Sequence, residues 1–315
     1  MVKRSPKAFK TYDEQIALLR FRGMRIDDEG YARAVLERVN YYRLSGYWYP
    51  LRRMSENLPR RSDEFVDGTT FEQVTALYYF DERLRSQVFQ VVSIIELALR
   101  ALLGHELGRI NPHTHLHPDL LGSLARAPQS AVEPSTDYKQ WLRRYRKELG
   151  ASREDFVAHN NKTYDGRLPI WAAVEVMNFG ALHYLYSFSP DNVREDIAAR
   201  ASLTPAQFGS WIKSLNIVRN YSAHHARMFN RVYALQPRLP RPGRNSDLDA
   251  VRDVMNRCFG QLTLIQHLIT TLDLRGRNIL PEVVATYPTT VAPVPIGHLG
   301  APQDWQEFPL WRTNS

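Results

Sequence analysis

A chain of 315 residues, 43% hydrophobic and 23% charged, has globular composition and enough apolar side chains for a sizeable core, in one large domain or two small ones. Its single cysteine, Cys258, excludes an internal disulfide, and no run approaches the roughly 18 consecutive apolar residues of a membrane helix, so a soluble, cytoplasmic protein of a reducing compartment is expected. The net charge of +8 excludes nothing by itself but favours polyanionic partners, nucleic acid first among them.

Residues 1–10 are basic and expected to be loose, and Met1-Val2-Lys3-Arg4-Ser5-Pro6-Lys7 lacks the apolar region of a signal peptide. Thr11 and Glu14 stand at capping-box spacing and open a helix to about Arg22, closed by Gly23. Asp27 starts a second helix, carrying Tyr31, Val35 and Val39. In the stretch from Asn40 to Pro50, the aromatics Tyr41, Tyr42, Tyr47, Trp48 and Tyr49 suit core packing, and Arg43 is the member suited to RNA. Residues 53–69 read as loop. Thr70 and Gln73 repeat the capping-box spacing and open a long helix from Phe71 to about Leu107. On it Leu77, Leu84, Val88, Val91, Ile95, Leu99 and Leu102 form one apolar stripe, and Glu96 and Arg100, one turn apart, can pair.

Residues 109–136 read as loop, within an insertion spanning about 109–168. His113, His115 and His117 alternate, and an extended loop would point all three one way, as zinc requires; no cysteine or carboxylate completes such a site, and no metal or other cofactor is expected. A basic helix over 137–149 sets Lys139, Arg143, Arg144, Arg146 and Lys147 among Trp141 and Tyr145. That mixture suits a groove for single-stranded RNA, and it suits equally a solvated helix face with Trp141 in the core. A helix over 170–187 has Pro169 near its start and Gly180 inside it; Pro190 and Thr204-Pro205 open two more, and a last one covers 247–274. From Leu280 the chain is proline-rich without helical period, a tail expected to be extended or docked as coil. No β-alternation of any length appears, so the fold class is all-α.

Between Trp211 and Phe229 a helix would carry Trp211, Leu215, Val218, Ser222, His225 and Phe229 on a core-facing seam, which places His225 in the interior. Asn216, Asn220, His224 and Arg227 would form a polar stripe on another face, with Arg219 beside it. By spacing alone that stripe reads as a solvated surface.

Resemblance adds to this. Arg219-Asn220-Tyr221-Ser222-Ala223-His224 has the R-N-x-x-x-H form of the HEPN ribonuclease motif. Tyr41-Tyr42-Arg43-Leu44-Ser45-Gly46-Tyr47, Ile95-Glu96 with Leu99-Arg100, Pro169-Ile170-Trp171 with Glu175, and Phe179-Gly180 resemble segments of the Abi-like (abortive infection) family of phage-resistance proteins, over about residues 12–229. A second R-x-x-x-x-H, Arg100 to His105, has Ala101 where the motif prefers a polar residue, and reads as a pairing arginine and a helix-end histidine. The resemblance implies a HEPN-like helical bundle over 71–279, with 1–70 as a helical segment packed on it and 280–315 as the tail. It implies a metal-independent endoribonuclease with Arg219, Asn220 and His224 as catalytic residues and Glu96, Arg100 and Glu175 in support. It also implies a homodimer with a composite cleft and RNA as partner, including a small noncoding RNA. RNA carries its own nucleophile, the 2′-hydroxyl, so a histidine to move the proton and an arginine to hold the phosphate suffice. A non-catalytic RNA-binding module, or a helical interaction domain paired with a nucleotidyltransferase, are the alternatives.

Overall fold

The structure is a computed structural model that describes residues 8–55, 60–130, 132–289 and 294–313. Residues 1–7, part of the basic stretch expected to be loose, lie outside the described residues, as do 56–59 of the expected loop and parts of the expected tail.

Local capping fixes the first elements. The Thr11 side chain opens α1 (Tyr12–Phe21), and Glu14 reaches back to accept from the Thr11 N–H at 2.7 Å. Asp28, rather than Asp27, caps α2 (Glu29–Val39), accepting from the Tyr31 N–H at 2.8 Å. Asn40, at φ +68°, turns the chain directly into α3 (Tyr41–Trp48). The stretch expected as loop over 53–69 instead contains an antiparallel hairpin, β1 (Arg52–Met54) and β2 (Arg61–Phe65), with Arg52 opposite Phe65 and Met54 opposite Arg61. Charge pairing holds it: Asp63 meets Arg52 at 3.0 Å and Arg22 at 3.1 Å, while Phe65 alone turns into the core, edge-on to Trp48. A strand with one buried residue leaves no alternation to read.

The spine is α4 (Phe71–Gly108), opened by the Thr70–Gln73 capping box. Leu77, Leu84, Val88, Val91, Ile95 and Leu99 are buried along the expected stripe, and Leu102 is partly covered. By length and composition α4 is long and apolar enough to cross a membrane, which a count of consecutive apolar residues misses; 44% of its most apolar window is buried within the fold.

Beyond α4, short 3-10 turns at Thr114–Leu116, Pro118–Leu120 and Ser123–Ala125 lead to α5 (Thr136–Ala151) and to α6 (Asp155–Thr163), a polar helix without a side-chain cap that sequence reading missed. The helix expected over 170–187 is broken into α7 (Ile170–Ala173), a 3-10 turn and α8 (Phe179–Phe188). Asn178 makes the break, since its extended backbone and side chain cap α8 through the Ala181 N–H at 2.9 Å. Next come α9 (Asp191–Arg200) and α10 (Pro205–Ala223).

The helix expected over 247–274 is likewise divided, into α11 (Ser246–Ala250), a 3-10 turn and α12 (Cys258–Thr271). Between them the Asn256 carbonyl accepts from the Tyr233 N–H at 2.8 Å, and Gly260 sits so close to the chain that a Cβ there would lie 2.5 Å from the Val254 oxygen. The tail is not extended. Its described residues form α13 (Ile279–Ala285) and three 3-10 turns, and Trp311 stacks on Phe259 of α12 with centroids 4.4 Å apart. Scattered aromatic anchors bury it, and they have no helical period. The result is an all-α fold in which α3, α7, α8, α10, α12 and α13 pack round α4.

Candidate functional site

Thr204 and Gln207 form a reciprocal capping box at the start of α10, with Pro205 as the first helical residue. Phe208, Trp211, Ile212, Leu215, Val218 and Ser222 form its buried face. The helix stops at Ala223 and does not continue to Phe229 as the seam predicted. His225 adopts φ +55°, its N–H reaching the Ser222 carbonyl at 3.4 Å, and the Ala226 N–H bonds the Tyr221 carbonyl at 2.9 Å. This is a Schellman closure with histidine where glycine is usual. The consequence overturns the core assignment of His225: the left-handed turn takes it off the seam, and it is exposed. His224 caps the helix and is also exposed, as is Asn220 one turn before it. Among the described residues neither side chain has a hydrogen-bond partner.

Two side chains from the N-terminal half, Arg43 and Asp81, and one from the turn itself, Arg227, fix the turn after His224. Arg43 Nη1 donates to the His225 carbonyl at 2.6 Å, and Arg227 Nη1 donates to the Gly46 carbonyl at 2.6 Å. Asp81 of α4, fully buried, accepts from the Phe229 N–H at 2.7 Å and the Met228 N–H at 3.2 Å. Its other oxygen accepts from the Tyr47 hydroxyl at 2.6 Å and from Arg85. Burial raises the Asp81 carboxyl above its ordinary range despite these donors, and burial lowers Arg227. The aromatic stretch is therefore mostly packing, as expected for Tyr47 and Trp48, while Tyr42 and Tyr49 are exposed. From the other end of the chain, the His298 ring stacks on Phe229, centroids 6.3 Å apart, and Arg257 links Asn230 Oδ1 at 3.1 Å to the His298 carbonyl at 2.9 Å. Sequence reading missed Asp81, Arg257 and His298, and gave Tyr47 a packing role without its hydrogen bond to Asp81. A buried aspartate inside an apolar helix was the one available signal.

Arg219 faces α4. Its Nε lies 3.8 Å from Glu96 Oε2 and makes no hydrogen bond, and its guanidinium carbon lies 5.6 Å from the Phe89 ring centroid. Glu96 is buried and binds Arg100 at 2.7 Å, and Arg100 also donates to the Met177 carbonyl at 2.9 Å, at the α7–α8 break. The structure thus brings Glu96, Arg100 and Arg219 together. Glu175 is exposed and enters no ion pair among the described residues. Asn216 lies against α8, where a Cβ on Gly180 would be 3.6 Å from its Nδ2.

On α5, Lys139, Arg143, Arg144, Arg146 and Lys147 are all exposed, and Lys139 pairs with Glu133 at 3.5 Å. Trp141 and Tyr145 are buried, stacked with centroids 5.9 Å apart, and Trp141 Nε1 donates to the Ala181 carbonyl at 3.0 Å. Neither ring lies open for a base to stack on, Tyr145 showing only as part of a pocket wall, so on the surface only the basic half of the expected groove is present. His113, His115 and His117 do not converge: His115 is fully buried, edge-on to Tyr145, with both ring nitrogens unpartnered. Burial pushes its pKa down to about 3. Among the described residues no three His, Cys, Asp or Glu gather to hold a metal ion.

The sequence profile of the family described as Abi-like protein matches residues 34–230, more than half of the chain. No curated protein and no solved structure matches it.

Proposed function

Because this chain belongs to the Abi-like family, the abortive-infection proteins of phage defence, we propose that it is a metal-independent endoribonuclease of the HEPN type whose reacting residues are His224, Asn220 and Arg219. The observation that supports this most is the tip of α10. The helix ends so that His224 stands in solvent at its cap, on a turn immobilised by Arg43, Arg227 and Asp81. A proton carrier must be within reach of the substrate and held in place.

In this reading His224 takes the proton of a ribose 2′-hydroxyl, and the oxygen attacks the adjacent phosphorus. Arg219 bears on the phosphate, with Glu96 limiting its swing and Asn220 orienting the histidine or the phosphate. The bond to the 5′-oxygen breaks, and that oxygen takes a proton from a second acid. The products are a 2′,3′-cyclic phosphate and a 5′-hydroxyl. One motif per chain supplies one histidine, so the second acid is the partner's His224 in a homodimer. Phe89, 39% exposed and beside Arg219, and Leu97, 50% exposed, lie on α4 and suit such an interface.

A second reading, an RNA-binding module that holds a small noncoding RNA without cutting it, is favoured by the direction of Arg219, towards α4 and away from solvent-facing Asn220 and His224. Purified protein and its His224→Ala variant, on labelled total RNA with and without chelator, decide between them. Cleavage is expected only from the wild type, in chelator, leaving cyclic phosphate ends. Tight binding without cleavage by the wild type supports the module, and cleavage that survives the substitution rejects the chemistry.

A further inference from the structure

A pocket of about 380 Å³ opens between the turn at Thr114–Leu116, the C-terminal half of α5 and the loop from α6 to α7. Its lining includes His113, His117, Arg146 and Arg167, with Leu116 and Leu149 as apolar wall, and contains no carboxylate. Arg146 is exposed and enters no ion pair among the described residues. The Arg167 pairing, with Asp165, is a 3.8 Å contact between largely exposed side chains, weak enough for a phosphate to displace. His113 Nε2 lies 3.3 Å from the Arg167 carbonyl and ties the two sides of the rim together.

Guanidinium groups at the mouth of an apolar-walled cleft meet the two halves of a nucleotide separately: the forks suit a phosphate and the leucines suit a base. The surroundings say which form the nucleotide takes. Lys139, Arg143 and Arg146 recur at steps of four and three, so an exposed basic stripe on α5 leads along the helix into the pocket. The same end of α5 abuts the motif helix through one intermediary. Glu148 accepts from Asn178 Nδ2 at 2.6 Å, and Asn178 caps α8 beside Gly180, against which Asn216 of α10 lies.

We propose that this pocket binds a single nucleotide of an RNA strand laid along α5, its phosphate on Arg146 and Arg167 and its base against Leu116 and Leu149. The strand assignment rests on the ribonuclease reading above; the pocket's affinity for a nucleotide does not. It explains how RNA is held on a face whose aromatic side chains are buried.

The test is titration of the full chain with each of the four ribonucleoside 5′-monophosphates, with inorganic phosphate and with the nucleosides, read by calorimetry or NMR shifts. At least one monophosphate is expected to bind wild type and His224→Ala equally. Arg146→Ala/Arg167→Ala is expected to weaken it by about tenfold or more, the worth of one charge-assisted contact. Leu149→Trp, which fills the wall and leaves the charges intact, is expected to weaken it as well. Unchanged binding by either variant, or phosphate alone binding as tightly as the nucleotide, would overturn the proposal. Monophosphates that never bind while RNA is still cut would remove the pocket and leave the ribonuclease. Nucleotide binding at the pocket of a protein that neither binds nor cuts RNA would do the reverse.

Discussion

The Arg43 guanidinium donates a hydrogen bond of 2.6 Å to the carbonyl oxygen of His225, 182 residues away in the chain. A side chain expected to meet RNA is therefore also a fastening of the turn beside His224, and its exposure lets it do both.

Arg43→Ala is expected to cost about 0.5–1 kcal/mol of stability, a charged hydrogen bond discounted for its solvent exposure. The loss of RNA cleavage should be larger than that figure translates to, because the turn beside His224 loosens. Arg43→Lys should restore RNA affinity more than cleavage rate, since it keeps the charge and loses the fork. Equal recovery of both would show that Arg43 acts through charge alone.

His225 at φ +55° makes a contrasting pair of variants. His225→Gly should leave stability unchanged or raise it by up to about 1 kcal/mol, and His225→Val should lower it by about 1–2 kcal/mol, because a β-branched side chain tolerates the left-handed region poorly. Denaturant midpoints measure both. If glycine destabilises as much as valine, the imidazole itself packs and the turn is not what the residue is for.

Burial pushes His115 down to about 3, and burial with the nearby Lys213 charge pushes His183 down to about 4, from an ordinary 6.5. Both are neutral in the fold, so the unfolded chain takes up protons first as pH falls. Their depressed values leave stability complete above about pH 6.5 and erode it on the way down towards pH 4, at up to about 1.4 kcal/mol per pH unit for each histidine. His115→Phe should flatten this slope. It should also stabilise the neutral-pH fold by about 1 kcal/mol or more, since it removes two buried nitrogens without partners. Urea unfolding from pH 4 to 7 reads both effects, and an identical slope for the variant would place the proton uptake elsewhere.

Reversing Arg143, Arg144 and Arg146 to glutamate should weaken RNA binding and flatten its salt dependence. Every phosphate of a single strand that the protein no longer neutralises lowers the log–log slope by about 0.7. Filter binding across a salt series gives the slope, and one that does not move would put the RNA on another face.

What could be read from the sequence was whatever is local. Thr11–Glu14 and Thr70–Gln73 announce helix starts because a capping box is a matter of three residues, and the α4 stripe announces its buried face because 3.6-residue periodicity is written along one segment. The Glu96–Arg100 pair was legible for the same reason. Helix ends made by residues other than glycine or proline were not: Asn178 breaks one expected helix and His225 another, and the second error put the His225 side chain in the core when it is exposed. The Asp81 hydrogen bonds with Met228 and Phe229 join positions 147 and 148 residues apart, which no spacing rule reaches. That Trp305 and Trp311 anchor the tail was not legible, because a proline-rich segment has no period to mark its buried residues. Among the site residues, Arg219, Asn220 and His224 emerged only with the resemblance, because a polar stripe alone looks like any wetted helix.

Asp81 and Glu96 sit fifteen positions apart on one unbroken helix, the first holding the turn beyond His224 and the second facing Arg219. α4 is in effect a ruler with two marks, roughly 22 Å apart along its axis and about 60° apart around it. Adding or removing a single residue between the marks would swing one of them about 100° away from its target while leaving composition and hydropathy almost untouched. Length variation among kindred chains should therefore collect in the β1–β2 hairpin and the 109–168 region and avoid the interval from 81 to 96. An engineered one-residue insertion there should be far more damaging than a substitution at any exposed position within it.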